Sequence, residues 1–167
     1  IIWRLTMNIF FIKSNRLIVF SVLLGLFTAS AFIAFSKSEE GIPLPIVMYH
    51  SVLNDESRAG DYIVPFRLFK EDTEYLLSKG YTPVTIKSLT DYVYNNSPLP
   101  EKPVIITLDD GFYNNYEYVF PYIKEKNIPV VISIVGKYTE NYTNSGEKNP
   151  MYSYLRNCDI SEMSKSG

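Results

Sequence analysis

Two aspartates stand side by side in the stretch VIITLDDGFYNNY, residues Val104–Tyr116. A run of β-branched residues drives straight into them. Gly111 follows and lets the backbone turn sharply, so both side chains can address one place. Two carboxylates this close repel when both are ionised. A divalent cation beside them removes the conflict: one carboxylate binds the metal and the other takes a proton from a metal-bound water. The competing reading is an Asp-Asp-Gly turn with a helix cap at Asp110 or Asn114. The apolar strand before the pair and Phe112 after it weigh toward chemistry. His50 is the one histidine, and it ends a second apolar run, Ile46–His50. If the two runs are neighbouring parallel strands, His50 and Asp109 open onto one rim, where the histidine is either a scaffold residue or a ligand. Cys158 is the one cysteine. An intrachain disulfide and a cysteine-based metal cluster are therefore excluded.

Several elements must position these residues. Ile46–His50 reads as a buried strand. Asn54–Asp61 is polar and turn-like. A helix starts at Pro65 and carries Phe66, Phe69, Thr73, Leu76 and Leu77 at helical spacing, with Gly80 as its stop. Pro83–Ile86 reads as a second strand. Leu89, Tyr92 and Val93 mark a second helix, ended by Asn95–Pro98. Pro103–Leu108 is the third strand. Tyr116, Val119, Phe120 and Ile123 line a third helix, in which Pro121 lies early or makes a kink. Ile128–Val135 reads as a fourth strand and Gly136–Pro150 as a polar loop. Asp159–Ser166 reads as one or two helical turns capped by Asp159 or Ser161. Strands alternating with helices predict a parallel α/β sheet or barrel. Ligands gather beyond the C-terminal strand ends of such folds, which is where Asp109 and Asp110 fall.

The N-terminal segment is of another kind. Residues 17–35 read LIVFSVLLGLFTASAFIAF, without a charge. A bilayer-spanning helix needs about 20 such residues. Lys13 and Arg16 precede the run, which predicts a cytoplasmic N-terminus (1–16) and an extracytoplasmic C-terminal part. The span reads as an uncleaved signal anchor or, with Ala29-Ser30-Ala31 as a cleavage site, as a signal peptide. The first places the protein in the cell membrane as a single-pass protein, the second outside the cell. Residues 36–44 form a linker. Residues 41–167 carry 12 Lys+Arg and 16 Asp+Glu, a net charge of 12 − 16 = −4. That balance excludes nucleic-acid binding driven by counterion release. The domain's many Tyr and Phe residues fill a core or face a sugar.

Three stretches together resemble one family. PIVMYHSV (Pro45–Val52), FKEDTEYLLSKGYTPVTI (Phe69–Ile86) and PVIITLDDGFYNNYEYVFPYIKEKNIPVVISIVG (Pro103–Gly136) are similar to the polysaccharide deacetylases, the carbohydrate esterases with a NodB-homology domain. The similarity covers nearly all of residues 45–136 in the family's order. It implies the N-terminal portion of an irregular (β/α) barrel, preceded here by one transmembrane helix. It also implies metal-dependent hydrolysis of N-acetyl groups on an amino-sugar polymer such as peptidoglycan or poly-N-acetylglucosamine. The family's Thr-Phe-Asp-Asp-Gly motif is matched by Thr107-Leu108-Asp109-Asp110-Gly111. By that match Asp109 is the general base and Asp110 a ligand of a divalent metal, typically zinc. Leu108 replaces the usual aromatic.

The sequence departs from the family after that point. The family's pair of metal-binding histidines should follow Ile160–Gly167, and no second histidine is present. The histidine that serves as general acid is missing too. The resemblance therefore implies a domain over 45–167 interrupted before its metal site is complete, and inactive alone. The other reading from the same fact is a membrane-tethered, non-catalytic glycan-binding or degenerate deacetylase-like domain. A haloacid-dehalogenase-type phosphatase would need its aspartates two apart, and here they are adjacent.

Overall fold

The computed structural model describes residues 41–166 together with Ser21, Val22 and Gly25. The chain divides into two compact units, Ile1–Gly41 and Ile42–Gly167. In the first, Ser21, Val22 and Gly25 are helical and exposed. The expected span over 17–35 otherwise lies outside the described residues. Among those described, no helix is long and apolar enough to cross a membrane.

The second unit runs β1 (Ile46–Tyr49), β2 (Ser51–Leu53), β3 (Ile63–Pro65), α1 (Phe66–Ser78), β4 (Thr82–Pro83), α2 (Ile86–Asn95), β5 (Pro103–Leu108), a π-turn (Asn115–Val119), α3 (Phe120–Lys126), β6 (Val131–Ile132), α4 (Gly136–Ser145) and α5 (Asn157–Ser164). The expected α/β class is what forms. β5 is the central strand, and Val104, Ile105, Ile106 and Leu108 in it are all buried. A parallel strand covered on both faces needs such a continuous apolar run. β1 pairs along one side of β5, from Ile46↔Ile105 to Tyr49↔Leu108. β4 pairs with the start of β5, and β6 with its end at Thr107↔Val131 and Leu108↔Ile132. Every one of these pairings is parallel.

One face of this sheet holds the main core. Tyr49, Ile106 and Leu108 meet Phe69 of α1, and Val119 and Ile123 from the α3 side. The Tyr49 and Phe69 rings meet edge to face at 5.0 Å, a favoured aromatic geometry. A smaller cluster of Phe120, Leu155 and Met163 fastens α5 to α3.

The α1 helix begins after Pro65 and ends before Gly80 (φ +79°), as its sequence signals indicate. Four other elements differ from expectation. The strand expected over Pro83–Ile86 is β4, two residues long. Thr85 there is an N-cap, its hydroxyl accepting from the Ser88 amide at 3.0 Å, so Ile86 opens α2. The strand expected over Ile128–Val135 pairs only at Val131–Ile132. Pro129 has no amide hydrogen to give to a ladder, which shortens it. Gly136–Pro150 is not all loop, because α4 occupies Gly136–Ser145 and stops at left-handed Gly146 (φ +73°). Asp159 is not the cap of α5 but its third helical residue, which reaches back to the Arg156 amide at 3.0 Å.

The parallel pair β2–β3, which flanks the Asn54–Asp61 segment read as polar turn, was not foreseen. The third helix keeps its apolar face, with Val119, Phe120 and Ile123 buried, but it opens as a π-turn. Pro121 lacks the amide hydrogen that would continue the preceding turn as regular α-helix. The wider π-turn just before it accommodates that gap.

Candidate active site

The register of β1 and β5 builds the site. Tyr49 is opposite Leu108, and the Asp109 amide donates to the Tyr49 carbonyl at 2.8 Å. His50 and Asp109 are therefore the first residues past the C-terminal ends of two hydrogen-bonded strands, as the sequence predicts. Ile134 follows β6 on the other side. Along the rim the order is thus His50, then Asp109–Asp110, then Ile134. Leu108, the residue that departs from the family pattern, is fully buried in the main core.

The turn after β5 is tighter than a glycine signal alone indicates. Both Asp110 (φ +67°) and Gly111 (φ +71°) adopt the left-handed conformation. This conformation is unusual for a residue with a side chain, though aspartate tolerates it better than most. A Cβ on Gly111 would lie 3.1 Å from the Ile134 side chain and 3.3 Å from its Cα. The turn is also held from outside. The Leu155 amide donates to the Gly111 carbonyl at 2.8 Å, and the Tyr113 amide to the Ser153 carbonyl at 2.8 Å. These bonds lay Tyr154 against Phe112, with the rings stacked at 4.9 Å.

Asp109 and Asp110 are half-buried, and among the described residues no hydrogen bond or ion pair reaches either carboxylate. Four of the other five described aspartates are engaged, Asp55 with Ser57, Asp72 with Tyr49, Asp91 with Lys87 and Asp159 with Arg156, while the remaining one, Asp61, is exposed to water. A half-buried carboxylate with no protein partner has lost solvation without compensation. The charge of Asp110 is felt nearby: the Tyr154 hydroxyl is pushed up in pKa by burial first, then by Tyr138 and Asp110.

Two asparagines hold the rim in place: Asn114, which the sequence offers only as a helix cap and whose side chain makes no cap bond, and Asn115, which sequence reading passed over. Asn114 is fully buried and fully used: it accepts from the Val52 amide at 3.1 Å and donates to the Ser51 hydroxyl (2.8 Å) and the Pro150 carbonyl (2.9 Å). Asn115 donates to the His50 carbonyl at 3.0 Å, while its own buried Oδ1 has no partner among the described residues. Nothing in the spacing distinguishes these residues from turn asparagines, because the π-turn that faces them inward is not written in the pattern. The His50 ring lies edge-on to Tyr62 at 5.3 Å.

The fit to a metal is incomplete. Among the described residues no group of three His, Cys, Asp or Glu side chains comes together as a metal site. A catalytic zinc takes about three protein ligands plus a water. Asp110 can offer one carboxylate, and the described residues do not complete the set. An apolar groove of about 590 Å³ opens between α3, β6 and α5, lined by Phe120, Ile132, Leu155 and Met163 among others. None of His50, Asp109 or Asp110 lines it, so it is separate from the rim.

No protein-family model matches the chain. Over 104 residues it is 33% identical to the putative polysaccharide deacetylase YxkH of Bacillus subtilis, covering 62% of this chain and 36% of that protein. Over 94 residues it is 30% identical to the poly-β-1,6-N-acetyl-D-glucosamine N-deacetylase of Escherichia coli, covering 56% of this chain and 14% of that one. Its fold superposes on a solved de-N-acetylase from Aggregatibacter actinomycetemcomitans with a TM-score of 0.65 at 26% identity, covering 74% of this chain and 51% of that structure. The chain thus spans about a third or less of the length of these two curated relatives. Sequence similarity and superposition agree: the chain is similar to part of the polysaccharide deacetylases and shares the fold of a solved de-N-acetylase over 74% of its length.

Proposed function

We propose that the chain contributes the base-bearing wall of a carbohydrate N-deacetylase acting on an amino-sugar polymer of the cell envelope. The observation that carries this reading is the pair of half-buried, partnerless carboxylates at the end of β5. A strand-end aspartate with no protein partner is free to take a proton. Asp109 serves as the base toward a water that attacks the acetyl carbonyl carbon. The carbon–nitrogen bond then breaks, acetate leaves, and a proton returns to the sugar amine. His50, next along the rim, borders the same space. The substrate class is supported by the relative named for poly-β-1,6-N-acetyl-D-glucosamine.

Metal dependence belongs to the same reading. A divalent metal, zinc by type, would supply Lewis-acid activation of the carbonyl. Asp110 would be one ligand, and the others come from outside residues 41–166, so those residues alone are inactive. We further propose that the portion described is part of an incomplete (β/α) barrel, displayed outside the membrane by an anchor over 17–35 or secreted after cleavage there.

Acetate release from an N-acetylated β-1,6-glucosamine polymer by the full-length gene product tests the assignment. Asp109→Asn should slow turnover by ~10²–10⁴-fold with bound metal retained. Normal turnover in that variant would remove Asp109 from the base role. The alternative, a tethered non-catalytic glycan-binding domain, is favoured by the incomplete ligand set. It predicts binding of the polymer with no acetate released by any form.

A further inference from the structure

Beside the aspartates, on the β6 side of the rim, four aromatic rings pack into one group. The Tyr154 ring stacks on Phe112 at 4.9 Å, meets Tyr138 at 4.4 Å and reaches Tyr142 at 5.7 Å. Phe112 follows the Asp110–Gly111 turn directly. Tyr138 stands in the first turn of α4, three residues beyond Val135, and α4 leaves from the C-terminal end of β6. The strand order therefore places this group immediately beside Asp109–Asp110, on the side away from His50.

Three features set the group apart from ordinary core. Tyr138 is 42% exposed, although it is packed on Tyr154. Among the described residues, neither the Tyr138 nor the Tyr154 hydroxyl has a hydrogen-bond partner, whereas Tyr142 donates to the Tyr152 carbonyl at 3.2 Å. And the backbone under Tyr154 is clamped to the turn by the Leu155–Gly111 and Tyr113–Ser153 hydrogen bonds. Fixed aromatic faces with free phenol groups beside them offer contact area at low entropic cost, together with polar handles. A pyranose ring is the complementary shape: its axial C–H bonds make an apolar face, and its hydroxyls ring the edge.

Resting on the deacetylase reading, we propose that Tyr138 and Tyr154, backed by Phe112, form a stacking platform for a sugar ring of the glycan, next to the ring whose acetyl group meets Asp109. The platform holds the polymer in register across the rim. Tyr138 is its exposed surface, and the Tyr138 and Tyr154 hydroxyls bond to ring substituents.

The test is saturation-transfer NMR on the full chain with a β-1,6-linked N-acetylglucosamine pentamer, comparing wild type with Tyr138→Ala, Tyr138→Leu and Tyr138→Phe. The expected result is saturation of pyranose ring protons by wild type and affinity weakened about tenfold in Tyr138→Ala. Tyr138→Leu keeps apolar bulk and should still bind weakly, while Tyr138→Phe keeps the stack and most of the affinity. Equal binding by wild type and Tyr138→Ala would overturn the platform and leave the deacetylase reading standing. No binding by wild type would overturn the platform as well. Cellopentaose, which lacks N-acetyl groups, separates the two ideas. If it binds as tightly as the acetylated pentamer and with the same dependence on Tyr138, the platform is supported and the deacetylase reading is what fails.

Discussion

At Asp110 the backbone works against its own side chain. A left-handed residue other than glycine costs roughly 1–2 kcal/mol, less for aspartate, and among the described residues no hydrogen bond to the carboxylate of Asp110 (φ +67°) offsets that. Asp110→Gly should therefore leave stability unchanged or raise it by up to about 1 kcal/mol, measured as the urea midpoint, while it abolishes acetate release by the full-length product. A clear loss of stability would mean that the carboxylate is held by the protein and serves structure. Gly111 behaves in the opposite sense. Its φ of +71° and its closeness to the Ile134 backbone predict that Gly111→Ala costs roughly 2 kcal/mol. The aspartate pair and the need for a sharp turn were legible in the sequence. That Asp110 shares the left-handed turn was not, because it depends on how Ser153–Leu155 grips the loop from a distant part of the chain.

At the scale of elements, the segments that carry the rim are fastened by a few buried polar groups. Asn114 satisfies the buried Val52 amide and the half-buried Pro150 carbonyl. Asn114→Ala would leave both without partners and should cost about 3 kcal/mol. Asn115→Ala loses one bond to His50 and removes an Oδ1 that lacks a partner among the described residues, so about 1 kcal/mol is expected. Denaturant titration of the two variants measures both. The start of α5 rests on Arg156 and Asp159, whose side chains are 13% and 3% exposed and joined at 2.6 and 2.8 Å. Burial by itself would raise the Asp159 carboxyl, but the hydrogen bonds from Arg156 and its positive charge outweigh that and hold the carboxyl below its usual range. A depressed acid stabilises the fold above its unfolded pKa of about 3.9 and stops doing so as pH falls through its lower folded value. Melts from about pH 6 down to about pH 2 should show that loss. Asp159→Asn should remove its share of the pH dependence and cost about 3 kcal/mol at neutral pH. The helix here was legible, but its cap was misplaced, since an arginine at the cap is not a sequence signal that propensity rules supply.

Across the whole molecule, the parallel α/β order and the central strand could be read directly, because a fully buried strand must be apolar without interruption and Pro103–Leu108 is. The short strands resisted reading. β4 and β6 contribute two residues each, and β2–β3 pairs beside a polar turn, so their pairing is dictated by the tertiary neighbours and not by local periodicity. The same architecture leaves β1 half covered. Val47 and Tyr49 face the main core, while Ile46 and Met48, on the alternate positions, are 62% and 59% exposed. Among the described residues β1 pairs only with β5, so its far edge is also open. An open strand edge flanked by exposed apolar side chains is a template for association. Residues 41–167 produced alone should therefore self-associate with rising concentration, and sedimentation velocity is the measurement. The double variant Ile46→Lys, Met48→Lys places charge on that surface without touching the packed face. It should shift the population to monomer while stability moves by no more than about 0.5 kcal/mol. Unchanged association in that variant would mean that the copies meet elsewhere, with the groove between α3, β6 and α5 as the next surface to charge.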